Sequence, residues 1–139
     1  MKILVVAHPD DEILWFNPEE FDKIYIVFLG REGRTTALNE HPLKDKIECF
    51  NFPESNYWRD KTKKVEYDKN YSDLVERLKE IDAKEVQTHN AYGEYGHSDH
   101  ILCFNACMEV FNCPVNGKNP KLFREIKNIY QKNQCWTWF

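Results

Sequence analysis

Apolar residues fall into short runs and stripes that predict alternating strands and helices. Residues 2–7 form a nearly continuous apolar run, as expected of a strand covered on both faces in a parallel sheet. His8-Pro9 closes it, and the acidic Asp10-Asp11-Glu12 leads into Ile13-Leu14-Trp15-Phe16. Carboxylates suit the positive end of a helix, so a short helix is predicted there. Ile24 to Leu29 predicts a second strand, and Gly30 and Gly33 mark a loop over 30–34. Residues 41–50 read as a short helix, and 53–68 as a loop or irregular strand. Leu74, Leu78 and Ile81, with Val75 beside them, give a helical stripe over 73–82. A strand at 85–88 and a Gly- and Tyr-rich loop follow. Ser98 or Asp99 then caps a helix running to about Val110. Beyond it, Asn116-Gly117 and Asn119-Pro120 predict turns, Leu122, Ile126 and Ile129 another helix, and residues 135–139 a last strand.

This alternation predicts an α/β fold: a Rossmann-like, doubly wound, mainly parallel sheet with helices on both faces. The 139 residues fit a single domain spanning 1–139. Lys and Arg are neither in excess nor gathered into blocks, and the net charge is −4, so a nucleic-acid partner is not expected. No stretch reaches the length of a membrane span. The first apolar run is too short for an export signal and lacks a small-residue cleavage site. Five cysteines without Cys-x-x-Cys spacing argue against a disulfide framework or a cysteine zinc site. Cys103 and Cys107, four apart, read as small buried hydrophobes on one helix face. The expected compartment is the cytoplasm, and homo-oligomer formation stays open.

Two polar clusters carry the chemistry. His8 and Asp11 follow the first strand, where a chain turning into a helix can aim an imidazole and a carboxylate at one point. In open α/β sheets ligands bind beyond the carboxyl ends of strands. The second cluster, Tyr95-Gly96-His97-Ser98-Asp99-His100, follows the strand containing Val86. Its two histidines are three apart around a helix start, and Asp99 can orient a histidine through the second ring N–H. The plainer account gives helix-capping acids and a polar surface loop. One shared site explains three of the five histidines better than two separate accidents. Two histidines and a carboxylate suit a catalytic zinc with an open position, and equally ferrous iron. A spare carboxylate and a spare imidazole complete the outfit for amide hydrolysis.

Ala7-His8-Pro9-Asp10-Asp11-Glu12 resembles the signature of the PIG-L/LmbE-like N-acetylglucosaminyl deacetylases, and Tyr95-Gly96-His97-Ser98-Asp99-His100 resembles that family's second motif. Ser98 stands where many relatives have proline. The resemblance implies metal ligands His8, Asp11 and His100, with Asp10 as general base. It further implies that His97 assists the tetrahedral intermediate and the leaving amine, that Asp99 orients His97, and that Tyr95 lies near the developing oxyanion. The implied activity is removal of the N-acetyl group from an N-acetylglucosamine-type sugar or conjugate, with Zn2+, or alternatively Fe2+, as cofactor. Two rivals stand beside it: a catalytically silent relative binding a sugar or nucleotide, and a phosphoacceptor receiver-like domain. The receiver reading leaves His97 and His100 without a task.

Among the other residues, Arg31 and Arg34 read as solvated loop charges and Glu12 as a helix-start or supporting residue. His41 and His89 read as structural, and the Trp136–Trp138 pair as core or subunit contact.

Overall fold

A computed structural model describes residues 1–29, 32–111 and 115–116. The expected turns, helix and strand beyond residue 116, the tryptophan pair and Arg31 lie outside these residues.

The strands are β1 (Lys2–Val6), β2 (Lys23–Phe28), β3 (Ile47–Phe52), β4 (Glu85–Gln87) and the two-residue β5 (Val115–Asn116). They form one sheet in the order β3-β2-β1-β4-β5, and every neighbouring pair is parallel. The helices are α1 (Asp11–Leu14), α2 (Glu32–Glu40), α3 (Lys64–Leu78), the kinked turn α4 (Gly93–Gly96) and α5 (Ser98–Val110). The expected α/β, Rossmann-like architecture is the one observed. The order reverses about β1: the chain winds outward through β2 and β3, then returns to β4 on the other side. Such a switch point opens a crevice between the carboxyl ends of β1 and β4.

Side chains alternate across the central strands and build a core on each face. Ile3, Val5, Ala7, Tyr25 and Val27 meet Leu74, Val75 and Leu78 of α3 and Leu102, Cys103, Ala106 and Cys107 of α5. Leu4, Val6, Ile24 and Ile26 turn the other way, towards Phe21, with Phe16, Leu38 of α2, Ile47 and Cys49 packed around them. Cys103 and Cys107 are both buried on α5, as their helical spacing predicts. Leu74 is fully buried, and its replacement by alanine is expected to destabilise the fold by about 2–5 kcal/mol. Urea unfolding measures this, and a cost below about 1 kcal/mol would contradict the packing.

Three expected elements are corrected. Residues 41–50 are not a helix: a single 3-10 turn (Lys44–Lys46) precedes β3. Ile47 and Cys49 face one core while Phe50 and Phe52 face the other, an alternation of period two. Asn51, at φ 56°, sits in the irregularity where the pairing with β2 slips. Secondly, the helix expected over 73–82 begins at Lys64 and ends at Leu78. Its first half buries Asn70 and half-buries Tyr67 and Tyr71, so no aliphatic stripe announces it. Thirdly, the loop expected over 30–34 gives way to α2 from Glu32, a helix with almost no apolar face. No helix among the described residues is long and apolar enough to cross a membrane.

Candidate metal centre

Both clusters are delivered to the switch point. His8 stands two residues beyond β1 and begins a tight turn, in which its carbonyl accepts from the Asp11 N–H (3.2 Å) and the Asp11 carboxylate accepts from the His8 N–H (2.9 Å). Asp10 takes the left-handed conformation (φ 93°) that this turn requires. Aspartate tolerates that region better than most residues. The Glu12 carboxylate holds the Asp10 N–H at 2.9 Å and also contacts His41 Nε2 at 3.2 Å. Glu12 and His41 thus form a supporting pair beneath the turn.

From the other side, β4 delivers His89, again two residues beyond the strand end. The Thr88 hydroxyl ties this end to β1 by donating to the Val5 carbonyl (2.7 Å). α4 then reverses the chain into α5. Gly93, at φ +61°, is needed here: a Cβ would lie 2.8 Å from Ile101 Cγ1 and 3.5 Å from His100 Cβ. α5 begins as expected, but its cap is neither Ser98 nor Asp99. His97 Nδ1 accepts the Asp99 N–H at 3.1 Å.

Asp11 is the hub. Its Oδ2 lies 3.5 Å from His8 Nδ1, 3.3 Å from His100 Nε2 and 3.4 Å from His89 Nε2. Burial alone would raise its pKa, but His100, His8 and His89 hold the carboxyl well below the usual carboxylate range. The ring of His100 lies nearly parallel to those of His89 (centroids 3.9 Å, 6°) and His97 (4.8 Å, 12°). Trp15 is buried against this group, 5.5 Å from His100 and 5.8 Å from His89.

Three overlapping sets can hold a metal ion: His8, Asp11 and His100; His8, His97 and Asp99; and His89, Glu94 and His100. In each, the donor atoms lie within 4.8 Å of one another. The third is closed by its own hydrogen bonds. The Ala7 N–H donates to His89 Nε2 (3.0 Å), and His89 Nδ1 meets Glu94 Oε1 at 2.6 Å. Burial lowers the proton affinity of His89, but the Asp11 and Glu94 carboxylates outweigh it and push the ring up to about 9, against which the backbone geometry speaks. The Ala7 contact needs a lone pair on Nε2, which decides for a neutral ring with its proton on Nδ1. In the second set the Asp99 carboxylate is already bonded to His8 Nε2 (3.2 Å). The first set has a shared anion, two imidazoles and an open side: His8 and Asp11 line a cavity of about 280 Å³ with Asp10, Tyr95 and His97. Both ring nitrogens of His100 are buried without a hydrogen bond. A buried polar atom so placed costs about 1–3 kcal/mol, and a bound cation offsets that cost. The donor set therefore fits a metal ion.

Asp10 opens to the cavity and belongs to none of the three sets. Desolvation and the neighbouring charges of Asp11 and Glu12 push its carboxyl up to about 7. Burial, with His100 and His8 nearby, pushes His97 down to about 2, so its ring is neutral. The expectation that Asp99 orients His97 by its side chain is corrected. The carboxylate bonds His8, and the Asp99 backbone N–H fixes His97, because α5 starts between the two residues.

Several residues at the site were not singled out in the sequence as functional. His89 carries one usable signal, its position two residues past a strand end, matching His8. Glu94, Glu54 and Trp58 carry none. Glu54 lies 3.3 Å from His8 Nε2 and 2.9 Å from Arg34. Arg34 is therefore a half-buried bridge on the cavity wall and not a solvated charge; it also donates to the Leu29 carbonyl at 3.0 Å. Trp58 forms a cavity wall, its ring 4.9 Å from His97 and 4.3 Å from the Arg59 guanidinium.

No family model matches the chain. It is similar to an uncharacterized protein, L374, of Acanthamoeba polyphaga mimivirus, 27% identical over 94% of this chain and 70% of that protein. That name assigns no chemistry, so the functional reading rests on the site's own residues.

Proposed function

We propose that the chain is a metal-dependent N-deacetylase that hydrolyses the acetamide of an N-acetylglucosamine-type amino sugar or conjugate, with zinc as its metal. The observation that carries this reading is the convergence of His8, Asp11 and His100, within 4.8 Å, beside a cavity that also holds Asp10. The two-motif resemblance narrows amide hydrolysis to an acetylated amino sugar. Ferrous iron suits the same donors.

His8, Asp11 and His100 would hold the ion, which supplies a water with a pKa near 7 and a Lewis acid for the acetyl carbonyl. Asp10 takes the water's proton as its oxygen adds to the carbonyl carbon. A carboxyl near pKa 7 both accepts that proton and gives it up at neutral pH. As the carbon–nitrogen bond breaks, Asp10 passes the proton to the departing nitrogen, leaving acetate and a free amine. His97 has Nδ1 occupied by the Asp99 N–H, so its own proton sits on Nε2. From there it donates a hydrogen bond to the charge developing on oxygen, and Tyr95 lines the same cavity. The cavity is near the lower end of ligand pockets, roughly 300–1,000 Å³, a size suited to one sugar unit. Trp58 offers that sugar a flat apolar face.

Metal analysis of the purified protein, coupled to acetate release from a panel of N-acetylated sugars, tests the reading. The expected result is about one zinc per chain and acetate from at least one N-acetylglucosamine derivative. Bound metal without acetate from any sugar would favour a silent sugar-binding relative. The absence of metal binding would remove the proposal. A receiver-like domain is disfavoured, because it gives no task to the imidazoles around Asp11.

A further inference from the structure

We propose that Glu94 is a positioning carboxylate of the metal centre, one that orients His100 and rests on the reading of His8, Asp11 and His100 as ligands. Its side chain is fully buried, although it is an acid on a four-residue turn. A buried carboxylate needs compensating partners, and Glu94 has three. Oε1 meets His89 Nδ1 at 2.6 Å and faces His100 Nδ1 at 3.4 Å, while Oε2 accepts the Asn90 N–H at 3.2 Å.

The backbone gives an independent reason to assign it a task. Glu94 sits at φ 64°, ψ −58°, a conformation that an L-residue rarely adopts. Such strain persists where the surroundings over-determine it, and it gathers at functional positions. A turn needing only this conformation is served best by glycine, which flanks the pair Glu94-Tyr95 on both sides. The carboxylate is what glycine lacks.

The geometry defines the task. His100 Nδ1 makes no hydrogen bond as it stands, but a proton there would face Glu94 Oε1 and leave the Nε2 lone pair towards Asp11, 3.3 Å away. Metal-binding histidines commonly give their second N–H to a carboxylate, which sets both tautomer and ring orientation. His89 completes the brace. Its nitrogens are taken by Ala7 and Glu94, and its ring lies flat on His100 at 3.9 Å.

Titration of zinc into the metal-free full chain, parent against Glu94→Gln, tests the assignment. The expected result is a zinc Kd raised about 10–100-fold. The visible absorption of the cobalt-loaded protein should change as well, since it reports coordination directly. Glu94→Gly is a second variant that relieves the positive φ but takes the acceptor from His89 Nδ1 and the Asn90 N–H; whatever its melting temperature, its folded fraction should lose affinity similarly. A purely structural glutamate would lower the melting temperature of the metal-free protein and leave the Kd of the folded fraction unchanged. If the parent binds zinc and both variants match it within twofold, the inference falls and the metal site stands. If the parent binds none, both fall.

Discussion

Asp10→Asn is expected to keep the metal and much of the substrate affinity while lowering kcat by about 10²–10⁴-fold. The size follows from what the substitution leaves intact. Asp10 belongs to none of the three donor sets, so the ion keeps its ligands. Asparagine tolerates the left-handed φ of 93° as well as aspartate does, so the turn survives. The Asp10 backbone N–H still meets Glu12. What disappears is the carboxylate proposed to take the water's proton, and an amide of nearly the same size cannot replace it. His97→Gln should also leave the metal in place and slow the reaction, through loss of a hydrogen bond to the developing charge. Metal content and acetate release are to be measured on the same preparations. An Asp10→Asn protein nearly as active as the parent would sink the proposed base.

Asp11→Ala should behave in the opposite way, losing metal and activity together. Asp11 sits among three imidazoles within 3.5 Å, two of them on proposed ligands, and supplies the anion of the donor set. Its loss should weaken zinc binding by more than the roughly 10–100-fold typical of removing an orienting partner. The variant should also unfold more easily, because the buried His8 N–H loses its acceptor, at a cost of about 1–3 kcal/mol. Asp11→Asn keeps an oxygen for that N–H and separates the two effects: stability should largely return, and metal should not. Zinc titration and chemical unfolding of both variants read this out. Parental zinc affinity in Asp11→Ala would remove Asp11 from the centre.

The parts of the fold that could be read from the sequence were those whose burial is simple. β1 and β2 are covered on both faces, and their apolar runs say so. β3 lies at the edge and only half-buries its residues, so Ile47-Glu48-Cys49-Phe50 resembled a helical segment when its partner strand was unknown. α2 has so weak an apolar face that no periodicity marks it. At the site, His8, Asp11 and His100 were legible because each stands in a compact motif at a strand end or helix start. Glu54 and Trp58 come from the segment after β3, and only the folded chain brings them to the cavity. Asp99 was assigned to the wrong neighbour for a related reason. The motif resemblance pairs it with His97, whereas the tertiary fold puts its carboxylate against His8, 91 residues away in sequence.

The parallel register that sets Lys2 beside Glu85 also governs when the centre comes into being. His8 and Asp11 belong to the first crossover and His100 to the last described helix, so the set of His8, Asp11 and His100 forms only when these distant segments meet. Closing a loop of that length is slow and entropically costly, and the contacts it enables come only afterwards. Once β1 and β4 have paired, any ion held there binds the native state alone and stabilises it by mass action. The seam between these two strands makes metal occupancy a report on the folding of the whole sheet.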